Sequence, residues 1–377
     1  MRKIISLILS LLLCAGVGGG AYALYKQYVS QDNPTIENPV ENPDDSGTTD
    51  SGNNGGGNTD NENSENGGNT NSGETETPEI APMDVPLSVP TNVTSLVESR
   101  LTMVGGAQVY FGADDEDLEP AIRFQCTIGA TLLEEVNADE NKKFAMLVAP
   151  MDMFDKINPD NKTYIDWITE FEKAGKTVIL SEYGNLSASG DDGSSYFRFT
   201  LANVLYNNIF RPFVAIGVVI DNTSGTPVYK YATMPEGMNY RTNARSVTQV
   251  AGAALNAHAL GEATFGDDQV AKLKYYINMA VDNLNGLEEP TDDGSMATVE
   301  ITGGNSVSVA TGAIHQLSWK LNPYNKYFVL PARFVSSNQN IATVDASGEI
   351  KGVSTGTTTV KMYVAGEVYT VSVTVTA

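Results

Sequence analysis

Residues 335–360 read VSSNQNIATVDASGEIKGVSTGTTTV. Short apolar runs alternate here with turn residues, which is typical of short β-strands joined by tight turns. Ser347-Gly348 predicts one such turn and Gly356 predicts the next, because glycine adopts turn conformations at little steric cost. The final residues, 371–377, read VSVTVTA and alternate valine with polar residues. Residues 297–377, in which similar runs recur without a helical pattern, therefore predict an all-β sandwich.

Several motifs in this region resemble those of the bacterial immunoglobulin-like domain of group 2. They are Leu317–Pro323, Val335–Asn338, Ile341–Asp345, Gly348–Val353 and Gly356–Val360. The resemblance covers residues 297–377 and implies a surface module of the kind found in adhesins and multidomain wall proteins. It names no ligand, because a fold does not fix a function.

One stretch of this region departs from the family pattern. Lys326–Pro331 looks like an insertion, and we expect its Tyr327, Phe328 and Leu330 at the surface. Trp319 and Ala342, by contrast, are expected in the core of the sandwich.

Residues 91–289 mix strand and helix patterns and predict an α+β extracellular domain. Strand-like runs dominate the first part, and helical patterns occupy 163–174, 244–260 and 267–284. We therefore expect helices packed on a largely antiparallel sheet. The region also loosely resembles uncharacterised extracellular domains that accompany immunoglobulin-like modules in Gram-positive surface proteins, and this resemblance implies no activity. Its motifs are Gly106–Phe111, Ala121–Phe124, Leu147–Pro150, Arg211–Ala215 and Arg245–Ala251.

Residues 30–90 predict a disordered acidic linker rich in Asn, Gly, Glu and Thr. Residues 31–90 hold 13 acidic and no basic side chains. A stretch with so little apolar surface cannot offset the conformational entropy lost on folding. We interpret it as a solvated spacer that holds the later domains away from a surface.

Residues 1–29 predict an export segment. Arg2 and Lys3 precede an apolar run, and Ala21-Tyr22-Ala23 places small residues where signal peptidase requires them, so cleavage after Ala23 is one outcome. The alternative is a retained membrane anchor, because residues 4–25 are mostly apolar and long enough to span a bilayer. A lipoprotein signal at Cys14 is disfavoured, because Leu13 stands where a small residue is needed. Either main outcome places the protein outside the cell or at its surface.

The overall charge limits the partners. The formal net charge of −23 disfavours nucleic acid, whose phosphates would be repelled. Cell-surface or wall glycans and surface proteins are the expected partners, with the membrane added if the N-terminal segment is retained.

Few residues in the chain can support catalysis. The two histidines, His258 and His315, lie in different predicted domains, and Cys126 occupies an apolar position of an alternating run. Histidine or cysteine metal sites need more ligands than this, and no nucleophile elbow occurs. We therefore predict no enzyme activity, no catalytic residues and no cofactor.

Two groups of residues are candidate sites. Asp114, Asp115 and Asp117 form an acidic loop that offers oxygen ligands to calcium, although its spacing fits a solvated turn better. Tyr229 and Tyr231 share one strand face by period two and are candidate ligand-binding residues, since exposed tyrosines near arginines often bind glycans or proteins. The other interpretation of this tyrosine pair is that it lines a sheet–helix interface.

The arginines Arg123, Arg211, Arg241 and Arg245 are interpreted as partners of acidic side chains.

These observations favour a cell-surface protein that binds or adheres to glycan or protein ligands, with the sandwich supporting or presenting the middle domain. One alternative is a structural spacer or envelope protein without a discrete ligand. A less favoured one is a wall-polysaccharide hydrolase, which would need two facing carboxylates.

Overall fold

The computed structural model describes residues 87–88, 95–111, 120–291, 294 and 296–377. The predicted export segment at 1–29 and nearly all of the predicted linker at 30–90 lie outside this range, as does the acidic loop with Asp114, Asp115 and Asp117. Within the described residues, no helix is both long and apolar enough to cross a membrane.

The middle part of the chain, residues 95–291, is built on an eight-stranded sheet. Its strands are β1 (Val97–Met103), β2 (Gln108–Val109), β3 (Ile122–Ile128), β4 (Lys142–Pro150), β5 (Ile179–Tyr183), β6 (Ser195–Leu201), β7 (Phe213–Asp221) and β8 (Val228–Thr233). The order across the sheet is β2-β3-β1-β8-β7-β4-β5, and β6 pairs with β3. Strands β1 and β8 run parallel, while the other described pairs of this sheet are antiparallel.

Six helices accompany this sheet. They are α1 (Ala130–Asn137), α2 (Met151–Ile157), α3 (Trp167–Lys173), α4 (Tyr240–Asn243), α5 (Val247–Ala259) and α6 (Asp267–Leu284). Helix α5 begins with a capping box in which Ser246 Oγ accepts from the Gln249 N–H and Gln249 Oε1 accepts from the Ser246 N–H. Helix α6 carries Asp267 and Asp268 in its first turn, where carboxylates favour the positive end of the helix dipole.

The central strands β4 and β7 are buried on both faces. One face packs with β3, β6, α1, α5 and α6, and the other packs with α2, α3 and α4. This double burial explains why β4 and β7 read as nearly continuous apolar runs rather than as alternating ones.

The predicted combination of helices with a largely antiparallel sheet is confirmed, but five elements escaped prediction, namely β1, β6, α1, α2 and α4. Strand β1 is irregular, with a register shift against β8 between Glu98 and Thr102, and the alternation of β6 is a strand signal that the prediction missed. Helices α1, α2 and α4 have only 8, 7 and 4 residues. Helical periodicity is weak over two turns, so such elements form mainly because the sheet offers them an apolar surface.

The C-terminal part, residues 296–377, is all-β as predicted. Its strands are β9 (Thr298–Thr302), β10 (Ser306–Ala310), β11 (Ile314–Gln316), β12 (Ser318–Asn322), β13 (Ala332–Ser336), β14 (Ala342–Val344), β15 (Glu349–Gly352), β16 (Gly356–Val364) and β17 (Glu367–Thr376). They form a sheet β10-β17-β16-β13, a sheet β11-β15-β14 and the pair β12-β9. The predicted turn at Gly348 has a φ of +84°, a conformation that favours glycine.

The core of the sandwich agrees only partly with the expectation. Ala342 is fully buried, and Trp319 is half-buried against the core. The surface expectation for Lys326–Pro331 was wrong. Phe328 and Leu330 are 2% and 1% exposed, because the middle part of the chain covers them, and Tyr327 is half-buried.

Candidate functional site

Tyr231 lies in the core, beneath helix α3. Its ring is fully buried, and its hydroxyl donates to Asp166 Oδ1 at 2.7 Å and accepts from the Ile168 N–H at 2.9 Å. Burial raises the pKa of Tyr231 far above its ordinary value. A side chain without exposed surface cannot contact a ligand. The position of Tyr231 therefore matches the other interpretation, in which this tyrosine lines an interface between the sheet and a helix.

Tyr229 lies two residues earlier on the same strand face and is half-buried. Its pKa is raised first by burial and then by the carboxylates of Glu172, Asp166 and Glu182. The surroundings of Tyr229 are therefore acidic. Its role in ligand binding stays a prediction.

The residue types needed for metal or thiol chemistry do not come together in the described part of the chain. Across those residues, no group of three or more His, Cys, Asp or Glu side chains is placed to hold a metal ion. Cys126 is fully buried, and burial raises the pKa of its thiol, which opposes formation of a reactive thiolate. His258 lies on α5, where its Nδ1 is 3.4 Å from the backbone N–H of Phe265, and His315 is exposed on β11.

Two acidic residues of α2 form ion pairs with arginines. Arg211 Nη2 donates to Asp152 Oδ1 at 2.6 Å, and Arg241 Nε donates to Asp155 Oδ1 at 2.7 Å. Tyr240 also donates to Asp155 Oδ1, at 3.0 Å. The interpretation of Arg211 and Arg241 as partners of acids is thus supported. These contacts fix α2 to the rest of the middle part.

The outer face of β3 and β6 gathers a different set of side chains. We call it the arginine–tyrosine face, and it comprises Tyr110, Arg123, Gln125, Tyr196, Arg198 and Thr200. All six are half-buried, whereas the residues that alternate with those of β3 and β6 are buried in the core. The face is therefore the solvent side of a strand pair whose other side is core.

Each arginine of this face is held in two ways. Arg123 Nε donates to Thr200 Oγ1 at 3.0 Å, and its Cζ lies 3.8 Å from the centroid of the Tyr110 ring. Arg198 Nε donates to Gln125 Oε1 at 2.7 Å, and its Cζ lies 4.4 Å from the centroid of the Tyr196 ring. Stacking and hydrogen bonding together fix both guanidinium planes.

The sequence carried a signal for this face. Residues 122–128 (IRFQCTI) and 195–201 (SYFRFTL) alternate polar with apolar side chains, and such alternation predicts strands with one open face. The pairing of the two runs is a long-range contact, because Arg123 and its paired residue Thr200 lie 77 residues apart in the chain.

A continuous contact joins the middle part to the sandwich. Asn256 on α5 donates to the Pro331 carbonyl at 2.7 Å and accepts from the Gly366 N–H at 2.9 Å, so one buried amide binds two loops of the sandwich. A Cβ on Gly252 would lie 3.3 Å from side-chain atoms of Leu330 and Pro331, which shows how closely the backbone of α5 approaches that stretch.

Apolar and ionic contacts surround this amide. Phe328 meets Phe210 edge-on with centroids 6.5 Å apart, and Arg333 binds both carboxylate oxygens of Glu262 at 3.1 and 2.9 Å. One apolar core cluster extends from the sheet into the sandwich. The stretch that departs from the family pattern is therefore one part of the sandwich that docks onto its neighbour, together with Arg333 and Gly366.

The C-terminal part forms an immunoglobulin-like β-sandwich from a four-stranded sheet, a three-stranded sheet and a two-stranded pair. Residues 296–375 match the family model described as "Bacterial Ig-like domain (group 2)", and this part of the chain is such a domain. No curated protein matches the chain.

Solved structures give three comparisons. Domains 4 and 5 of the S-layer protein SbsC are 27% identical over 21% of this chain and 51% of theirs, with a TM-score of 0.19. The C-terminal fragment of intimin, solved in complex with the intimin-binding domain of the translocated intimin receptor, is 9% identical over 72% of this chain and 63% of its own, with a TM-score of 0.18. The BSP domain of a biofilm-associated protein is 13% identical over 76% of this chain and 53% of its own, with a TM-score of 0.21.

The chain thus spans about half to under two thirds of the length of these three structures. At these TM-scores, none of the three carries an argument about a ligand or a partner.

Proposed function

We propose that this chain is an exported cell-surface protein that binds glycan or protein ligands through its middle part, while the immunoglobulin-like domain supports and presents that part. The observation that carries the proposal is the docking of the two parts through Asn256, Phe328 and Leu330. A sandwich that only spaced its neighbour from the surface would need no shared core.

The shared core gives the supporting role a physical meaning. Interfaces between domains of one chain are usually polar, so relative motion is the default expectation. Here the fully buried side chains of Phe328 and Leu330 and the doubly bonded Asn256 oppose that motion. A rigid pair holds a binding surface of the middle part in a fixed direction relative to the sandwich, and this reduces the entropy lost on binding.

One pair of neighbouring carboxylates in the middle part is engaged in structural contacts. Asp152 and Asp155 are neighbouring carboxylates, and both are engaged by arginines that fix α2. The predicted absence of enzyme activity belongs to this proposal, as does the division into domains at 91–289 and 297–377.

Two measurements test the proposal. First, intact Gram-positive cells expressing the full chain are treated with protease, and we expect the protein to be lost from intact cells at the rate of a known surface protein. Secondly, the purified full chain is applied to glycan and wall-polysaccharide arrays, and released soluble sugar is measured in the same wells.

The outcomes of the array separate the alternatives. Saturable binding without sugar release is the expected result. Release of sugar would overturn the non-enzymatic assignment in favour of a hydrolase. Surface exposure without binding to any glycan or surface protein would favour the structural spacer.

A further inference from the structure

The immunoglobulin-like domain carries a groove along the strand pair β9 and β12, and we propose that this groove binds a neutral, linear oligosaccharide. One sugar ring of the ligand stacks on Tyr324, and its hydroxyls form hydrogen bonds with polar side chains of the two strands. The inference goes beyond the proposed function, which places binding in the middle part, because it gives the sandwich a ligand site of its own.

The groove has the size of a ligand site. Its volume is about 450 Å³, and small-molecule sites in proteins commonly measure about 300–1,000 Å³. Most of its lining side chains are exposed, so the groove is open to solvent. The lining residues are Thr298, Val299, Glu300, Lys320, Leu321, Asn322 and Tyr324.

The two strands present a row of polar side chains beside the groove. Asn322 pairs with Thr298 and Lys320 pairs with Glu300, and directly paired residues project from the same face of a sheet. All four side chains are exposed, whereas Val299, which alternates with them on β9, packs against the core. The four side chains therefore form one hydrogen-bonding surface.

Tyr324 adds a flat apolar surface to these polar groups. Its side chain is 70% exposed, and it is the one aromatic ring among the exposed large apolar side chains of the described residues. A single exposed apolar side chain is common on protein surfaces and by itself indicates nothing. Tyr324 differs because it borders a groove, where a flat ligand contacts the ring and the polar groups together.

The charges in the groove cancel. Lys320 Nζ lies 3.1 Å from Glu300 Oε2, and of the described residues that line the groove no other is charged. A charged ligand would have to compete with this ion pair, whereas a neutral ligand leaves it in place. An ammonium and a carboxylate each have capacity for several hydrogen bonds. The pair can therefore bind hydroxyl groups without separating.

These residue types match the chemistry of a sugar. A pyranose with equatorial substituents presents C–H groups on its faces and hydroxyls around its edge. The face stacks on an aromatic ring, and the hydroxyls donate to carboxylate or amide oxygens and accept from ammonium or amide nitrogens. A protein partner is disfavoured, because hot spots of protein interfaces are clusters of buried anchors, and this groove offers one exposed ring.

The backbone around the groove is anchored by the contact between the sandwich and the middle part. Ala297, which directly precedes Thr298, is 8% exposed and belongs to the shared apolar core. Phe328, which follows Tyr324 closely in the chain, packs on Phe210. Both chain segments that line the groove are therefore held in place before a ligand arrives, and this lowers the entropy lost on binding.

Titration calorimetry of the purified full chain tests the site. The probes are cellohexaose and chitohexaose, two neutral chains of pyranoses with equatorial substituents, and we expect saturable binding of at least one. Tyr324→Ala should weaken that binding at least about tenfold, because the ligand then covers no aromatic surface. Tyr324→Phe keeps the ring and should retain the affinity within about threefold.

Matched controls separate the groove from other exposed surfaces. Ile314→Ala truncates another apolar side chain of the sandwich, 60% exposed on β11 and outside the groove, and it should leave the affinity unchanged. Tyr229→Ala alters the middle part and should also leave it unchanged. The C6-oxidised form of cellohexaose, which carries a carboxylate on each sugar, should bind more weakly than cellohexaose. Thermal unfolding confirms that each variant is folded.

Three outcomes would overturn the inference. These are absence of saturable binding of both probes to the wild type, equal affinity of the wild type and Tyr324→Ala, and tighter binding of the C6-oxidised oligomer than of cellohexaose. Binding that is lost in Tyr229→Ala but kept in Tyr324→Ala would also reject the groove, and it would leave the proposed function standing. If the protein binds no glycan or surface protein and is not exposed on cells, the proposed function fails as well.

Discussion

Strands β8 and β6 carry tyrosines on the same face of one sheet. The two ends of that face differ in how far other elements cover the tyrosine rings. At β8, α3 covers Tyr231 and half covers Tyr229, and acidic side chains surround them. At β6, Tyr196 remains half-exposed beside Arg198. The comparison shows that a strand pattern reveals which residues share a face, whereas the neighbouring elements determine whether that face is open.

The reason for the difference lies in chain connectivity. Helices α2 and α3 belong to the connection between β4 and β5, so they pack over the strands next to that connection. Strands β3 and β6 lie at the other end of the sheet, beyond β1. The same kind of side chain therefore becomes a core residue at one end and a half-exposed residue at the other.

The largest expected effect comes from Tyr231→Ala. The substitution should lower the free energy of unfolding by about 5 kcal/mol, because it leaves a cavity and strips Asp166 and the Ile168 N–H of a partner. Tyr196→Ala, at the open end, should lower the free energy of unfolding by less than about 1 kcal/mol. Urea unfolding of the full chain measures both, and equal losses would show that the two ends are not covered differently.

A similar contrast exists within the sandwich. Phe328→Ala should lower the free energy of unfolding by about 3 kcal/mol, because the ring is only 2% exposed and packs on the middle part. Tyr324→Ala removes a ring that is 70% exposed and should change stability by less than about 0.5 kcal/mol.

We also expect the wild type to unfold in one transition and Phe328→Ala to separate the unfolding of the two parts. Two transitions in the wild type would contradict the shared core.

The covered end should also be sensitive to alkaline pH. Burial, followed by the nearby Asp155, raises the pKa of Tyr240 to about 12. Below about pH 10 the phenol is protonated in both states and its contribution to stability is complete. Between about pH 10 and 12 the unfolded state releases this proton first, so stability falls by up to about 1.4 kcal/mol per pH unit.

Tyr240→Phe should therefore reduce the slope of unfolding free energy against pH in this range. Between pH 6 and 8 the difference in the free energy of unfolding between the variant and the wild type should not change with pH. This range serves as the internal control. Urea midpoints measured from pH 6 to 12 give both quantities. An unchanged alkaline slope would show that Tyr240 does not titrate differently in the folded state.

A small effect is also expected at the open end. Arg198→Gln should lower the free energy of unfolding by only about 0.5–1 kcal/mol, the value of an exposed cation–π contact. Thermal unfolding measures this change. A loss above about 2 kcal/mol would show that the arginine–tyrosine face is needed for folding and is not an open end.

Prediction from the sequence worked best where strands are short, local and separated by turns. The C-terminal region was predicted correctly as all-β, and the turn expected at Gly348 is present. Prediction failed for α1 and α2, whose periodicity is short, and for Phe328, whose buried ring contacts Phe210, 118 residues earlier in the chain.

The sequence by itself determined the presence of the sandwich and the alternation of polar and apolar side chains on β3, β6 and β8. These follow from local turn chemistry and from a side-chain period of two. Only the tertiary structure decided that β3 pairs with β6, that α3 covers Tyr231 and that Lys326–Pro331 docks on α5. Those outcomes depend on contacts between residues far apart in the chain, where the free energy of packing, and not local preference, selects the arrangement.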